Sequence, residues 1–264
     1  MPRNASIDYL RNFANLCRCI IHAAIPYMVT ETPIWPVNDK GAWFFDVIVF
    51  KIHLFVMELF FVISGFIFMM FLSKKSIYKV ITNRIKRIVI PFILGLLILV
   101  PIVLSLFSLS NLNSYELLNF NIILKSYIEG WKLSIENLFP TAHLWFLFYL
   151  IIFYTTTIIF KKYISYILYF SLNQLVIMGI ITSSLCMFFM DRWIVDNPLT
   201  LIPEIPSLIH YFIFFLIGII FFKSSSLIKD VTYNSKKILL LGFLIGFIAI
   251  FPQLYFENTN LYYY

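Results

Sequence analysis

Residues 7–27 read IDYLRNFANLCRCIIHAAIPY. The run is long and apolar enough for a first membrane helix, yet it carries Asp8, Arg11, Asn15, Arg18 and His22. At roughly 100° per residue these five groups fall within roughly 80° of arc on one helix face. The other faces are Leu, Cys, Ile, Phe and Ala. A polar stripe of this kind costs several kcal/mol against lipid, so it is expected to face other helices or a wet cavity. That makes it the first place to look for function.

The rest of the chain sets the solvent in which this helix must be read. Of 264 residues, 61% are hydrophobic and 12% charged, far from the averages of soluble domains. The charges gather in short runs between long apolar segments, which describes a polytopic membrane protein, read as one domain over 1–264. Phe, Ile and Leu dominate without strict alternation, so the class is all-α, a membrane helix bundle, and not an outer-membrane barrel. No cleavable signal peptide is expected, since charge interrupts the first apolar stretch. Cys17, Cys19 and Cys186 sit inside apolar segments with neither disulfide nor metal-ligand spacing, and read as small packing residues.

Seven apolar spans can be drawn, at roughly 11–30, 50–72, 88–109, 142–160, 163–190, 208–222 and 238–256. The fifth is long enough to tilt or kink, and the sixth is short. Basic residues collect after the second span (Lys74, Lys75, Lys79, Arg84, Lys86, Arg87), the fourth (Lys161, Lys162) and the sixth (Lys223, Lys229, Lys236, Lys237). With Arg3 they mark one side as cytoplasmic, giving an N-terminus inside and a C-terminus outside. The net charge of +7 is therefore a topology signal and implies no nucleic-acid partner. The opposite loops are acidic and rich in Pro and Trp, as an aromatic belt requires. Between spans, 111–140 is expected to form an interfacial helix plus loop. Pro91, Gly95 and Pro101 suggest a kinked third span.

Side chains able to do chemistry are few. His22 is the one group of the first helix that titrates near neutral pH, and it lies about three turns beyond Arg11 on the same face. It can act as a general base, or be a packed, hydrogen-bonded histidine. In the second span Lys51 and Glu58 share a face, where they could neutralise one another or partners on the first helix. Asp46, His53 and Ser64 lie on a different face. Ser64-Gly65 reads as a point of close helix approach, not as a nucleophile elbow, which would need a second glycine. Arg84 and Arg87, three apart, form a fork suited to phosphate, or are ordinary positive-inside charge. His143 and Trp145 open the fourth span from the outer side and could touch an external substrate or sit in the belt. The four histidines, His22, His53, His143 and His210, fall on four different spans, so no metal site is expected.

Taken in order, these pieces resemble the acyltransferase 3 family of bacterial integral-membrane acyltransferases. Arg11 and His22 match its Arg-x10-His signature, and Phe60-Phe61-Val62-Ile63-Ser64-Gly65-Phe66 is similar to its FFxxSGF segment. Arg84-x-x-Arg87-x-x-x-Pro91 looks like its RxxR element, and His143-Leu144-Trp145-Phe146-Leu147 like its H-x-WFL segment. Ile205-Pro206 through Tyr211-Phe212, Phe214-Phe215 and Gly218 resembles a later span, especially in the glucan-modifying branch.

The resemblance implies transfer of an acyl group, acetyl or succinyl, from cytoplasmic acyl-CoA to a hydroxyl of a periplasmic or cell-surface carbohydrate or lipid-linked glycan. Acyl-CoA would be a substrate, with no bound cofactor, and the chain would lie in the bacterial inner membrane among lipid. Residue by residue, His22 and Arg11 become the catalytic pair and Arg84 and Arg87 the donor-binding group. Asp8, Asn15, Arg18 and Glu58 would support them, with His143 and Trp145 as acceptor contacts. Family members usually have more helices, so the chain is expected to lack the last of them. Glu58 stands where the glucan-modifying branch tends to have proline. Two other readings remain open: a transporter or flippase with a polar path, and an inactive remnant of the family.

Overall fold

In lipid, an apolar backbone run must satisfy its own hydrogen bonds. The computed structural model answers this with helices alone among the described residues, which are 5–30, 39–109, 119–136, 140–141, 144–164, 170–190 and 200–257. The main ones are α1 (Ala5–Ala24), α2 (Trp43–Lys74), α3 (Ile77–Leu109), α4 (Phe120–Glu136), α5 (Trp145–Ile159), α6 (Leu172–Met190), α7 (Ile205–Lys223), α8 (Ser225–Tyr233) and α9 (Ser235–Glu257). The chain divides into two compact units. One comprises Met1–Met69, Ser165–Val195 and His210–Tyr264, the other Met70–Ile164 and Asp196–Ile209.

Seven spans are expected; among the described residues four helices, α2, α3, α6 and α7, are long and apolar enough to cross a membrane. A fifth would be the pair α8–α9, which bends by 71° at its break. The shortfall has physical causes. Helix α1 carries Asp8, Arg11 and Arg18, and α5 has only 15 residues, about 22 Å at 1.5 Å per residue against a hydrocarbon core of about 30 Å. The span expected at 163–190 has its helix from Leu172, with 165–169 outside the described residues, and the short sixth span extends to 19 residues.

In the first unit, α2 and α7 meet backbone to backbone. A Cβ on Gly65 would strike the carbonyl of Phe215, and one on Gly218 would strike the carbonyl of Val62. The expected close approach at Ser64-Gly65 is therefore present, with a reciprocal glycine across the seam. Aromatic rings seal it: Phe61 lies 5.0 Å from Tyr211 and Phe68 lies 6.0 Å from Phe215. Beside it, Leu175, Ile217, Ile220 and Leu227 form an apolar cluster joining α6, α7 and α8.

The link between α1 and α2 is held by Asp46, which is 1% exposed. Its two oxygens accept from the backbone N–H groups of Val29 and Thr30, each at 2.9 Å. A carboxylate with both oxygens engaged this way is worth more than a packing contact. Asp46→Ala is expected to cost about 2–3 kcal/mol, read as a lower melting temperature of the detergent-solubilised protein, with Asp46→Asn in between.

In the second unit the expected kink takes the form of two π turns in α3, at Ile85–Val89 and Gly95–Leu99. Pro91 and Pro101 each follow one of them. A proline has no N–H for the carbonyl four residues back and its ring crowds that carbonyl. Those carbonyls belong to Arg87 and Leu97, inside the widened turns. The polar stretch expected to form an interfacial helix supplies α4, which packs on α3 through a stripe of small buried residues, Ser126, Gly130 and Ser134. Gly130 lies against Pro101 and Ser105.

Candidate functional site

Helix α1 has three faces. Ala14, Cys17, Ile21 and Ala24 are buried, at the i, i+3, i+4 spacing of a packed seam. Tyr9, Phe13, Leu16 and Ile20 are exposed, as a lipid-facing strip would be. The polar stripe lies between them. Arg11, Asn15 and His22 are exposed, and Asp8 and Arg18 half-buried. Of the two surroundings expected for the stripe, other helices or a wet cavity, no helix buries it within the described residues: it forms an accessible polar edge.

Within that edge the charges pair locally. Arg11 Nη1 stands 4.0 Å from Asp8 Oδ1, and Arg18 Nη2 donates to Asn15 Oδ1 at 2.9 Å. The Arg18 guanidinium also lies 4.7 Å from the centre of the Phe60 ring on α2, an attraction that grows when water is excluded. Asp8 and Asn15 thus steady the arginines. Arg11 and His22 remain accessible on the same face, a cation and an imidazole that can meet one substrate.

Glu58 corrects the sequence expectation. It was to be neutralised by Lys51 or by the first helix, but its Oε1 lies 3.0 Å from His210 Nε2 on α7. Lys51 instead places its ammonium over two rings of α9, 4.5 Å from Phe243 and 4.8 Å from Phe247. An ammonium between two ring faces needs no carboxylate partner. No spacing rule marks His210, because it and Glu58 are separated by 152 positions.

Arg84 and Arg87 belong to the second unit. Arg84 is half-buried and Arg87 exposed, since Arg87 falls inside the first π turn while Arg84 precedes it. The Arg84 guanidinium is flanked by Tyr154 at 4.9 Å and Phe71 at 5.2 Å. With Ile81, Ile85, Ile88, Ile151 and Tyr154 it lines a cavity of about 90 Å³. The ring contacts hold the guanidinium in place, and its planar N–H fork is chemistry suited to an oxyanion or phosphate. Phe71 and Tyr154 are contributors that spacing alone did not reveal. Arg84→Ala is expected to cost about 1–2 kcal/mol of stability, whereas Arg87→Ala leaves the melting temperature unchanged; thermal melts of the two variants side by side check this.

His143 lies outside the described residues. Trp145 opens α5 and is 4% exposed, its ring 5.6 Å from Tyr149 in an edge-to-face contact. It is a core residue of that helix in this structure. No group of three or more metal-ligating side chains occurs among the described residues.

One family model, described as an acyltransferase domain (Acyl_transf_3), matches residues 4–264. No curated protein and no solved structure matches the chain.

Proposed function

As the chain belongs to the acyltransferase family whose domain model spans residues 4–264, we propose that it is a membrane O-acyltransferase moving an acetyl or succinyl group from cytoplasmic acyl-CoA to a carbohydrate hydroxyl. The acceptor on this reading is a periplasmic or cell-surface glycan, or a lipid-linked one. The protein would sit in a bacterial inner membrane with its N-terminus inside. The observation that carries the proposal is the exposed edge of α1, where Arg11 and His22 share a face without burial.

The chemistry follows from those two groups. His22 takes the proton of the acceptor hydroxyl as its oxygen attacks the thioester carbonyl. The Arg11 guanidinium, about three turns along the face from His22 and drawn toward Asp8, binds and positions a part of the donor away from the attacked carbonyl. Collapse expels CoA as a thiolate, and His22 returns the proton to it, so ester and thiol are the products. Arg84 and Arg87 bind CoA phosphates through their guanidinium groups. His143 is the candidate acceptor contact at the outer side; Trp145, being buried, acts by shaping the start of α5.

The test is CoA release from labelled acetyl- or succinyl-CoA by membranes carrying this chain, compared with membranes lacking it. Label appearing in a carbohydrate ester with equimolar CoA supports the proposal. Transport of an intact sugar or thioester without CoA release defeats it.

A further inference from the structure

The α2–α7 seam holds a polar pair for which the proposed chemistry has no use. His210 is 3% exposed and Glu58 17%, both on mostly apolar helices. One hydrogen bond joins them, Nε2 to Oε1 at 3.0 Å. Each has a second polar atom, Glu58 Oε2 and His210 Nδ1, that is buried and has no hydrogen-bond partner among the described residues. The rings of Tyr211 and Phe214 pack on the imidazole at 4.9 and 5.0 Å. A buried polar atom left this way is strongly disfavoured unless something binds to it.

The nature of that ligand follows from the proton positions. With an ionised Glu58 accepting from Nε2–H, both Oε2 and Nδ1 are acceptors. With a doubly protonated imidazole, Nδ1 becomes a donor beside an accepting Oε2. With a protonated Glu58 donating to Nε2, Nδ1–H donates and Oε2 still accepts. Oε2 calls for a donor in all three states, and Nδ1 for a donor in the first and an acceptor in the others, so a separate hydroxyl or water at each atom, able to donate or accept, answers all three. An ammonium answers only the first, and a carboxylate or phosphate is repelled by Oε2 in the first two.

We infer that Glu58 and His210 form a hydroxyl-binding site inside the α2–α7 seam, with Oε2 and Nδ1 each met by a water or by a hydroxyl of the sugar acceptor. The second source rests on the acyl-transfer reading above; the first does not. If the sugar is the ligand, the site selects the acceptor while Arg11 and His22 act on it.

Infrared difference spectroscopy on the full chain in lipid nanodiscs tests this, with wild type minus Glu58→Gln isolating the carboxyl bands of Glu58. Spectra are taken in H2O, in D2O, and with hexyl β-D-glucoside. A Glu58 band that shifts on transfer to D2O much faster than the surrounding amides exchange identifies water as the ligand. A further shift that saturates with hexyl β-D-glucoside, and is absent in His210→Gln, identifies a sugar hydroxyl. In that case the KM for the glucoside should rise about 10- to 100-fold in Glu58→Gln with kcat little changed. Bands that move with neither, together with a Glu58→Leu/His210→Leu variant melting at or above the wild-type temperature, overturn the inference and leave a sealed structural pair. These spectra require no turnover, so loss of the transferase reading, measured separately by CoA release, does not decide them.

Discussion

His22→Ala is expected to lower CoA release by a factor of about 10²–10⁴, the usual contribution of a positioned acid–base group. Arg11→Ala should lower it by about 10²-fold, the scale found when a substrate-positioning group is lost. Neither change should disturb the fold, because His22 is exposed and the Arg11 side chain is 59% exposed. Surface substitutions away from special features stay within about 0.5 kcal/mol. The result to look for is thus a split: activity lost, melting temperature kept. Arg11→Lys sharpens it, since lysine keeps the charge but loses the planar fork; partial recovery would assign Arg11 a charge role, and none would assign it a directional one. If both alanine variants release CoA like the wild type, the α1 edge is not the catalytic face and the proposed division of roles falls.

The largest effect on stability is expected at the glycine pair of the α2–α7 seam. Gly65→Ala places a methyl against the carbonyl of Phe215, and Gly218→Ala places one against the carbonyl of Val62. Both obstacles are backbone, so no side chain can swing aside and the helices must part. The cost should be about 3 kcal/mol or more for each, and the double variant should cost less than the sum because the first separation relieves the second clash. Gly179→Ala on α6 is the control. Nothing lies within 4 Å of the Cβ it would add, and alanine is the better helix former by about 1 kcal/mol. Size-exclusion profiles and melts of detergent-solubilised protein should show the seam variants aggregated or strongly destabilised and Gly179→Ala unchanged or improved.

Comparing these positions shows what a linear reading can reach. The helices of α2, α3, α6 and α7 were legible because an apolar run long enough to cross lipid has one backbone solution. Ser64-Gly65 was legible as a packing point because small residues in an apolar helix have few other uses. What remained hidden depends on partners far along the chain. Glu58 had a plausible neighbour in Lys51 at helical spacing, yet the fold gave Glu58 to His210 and Lys51 to two rings of α9. Periodicity places the polar residues of α1 on one face without saying whether a neighbouring helix or a wet cavity meets them. Pro91 and Pro101 signalled a perturbed helix, but a kink and a π turn satisfy the same missing N–H and only coordinates separate them.

The charge on α1 also bears on how this protein enters its membrane. Charges on a membrane helix oppose insertion, an arginine at the centre by about 2.5–3.5 kcal/mol and a charge nearer the end, such as Asp8 in the first turn, by less. Each Leu, Ile or Phe returns only about 0.3–0.6. With three such charges in 20 residues, the balance for α1 alone is unfavourable. Helix α2, 32 residues long and strongly apolar, carries a surplus of the opposite sign. The seam of Ala14, Cys17, Ile21 and Ala24 and the Arg18–Phe60 contact give α1 something to hold once α2 is in place. During biosynthesis the two would therefore enter as a hairpin. The residues proposed for catalysis would then be carried into the bilayer by a helix that does none of the chemistry.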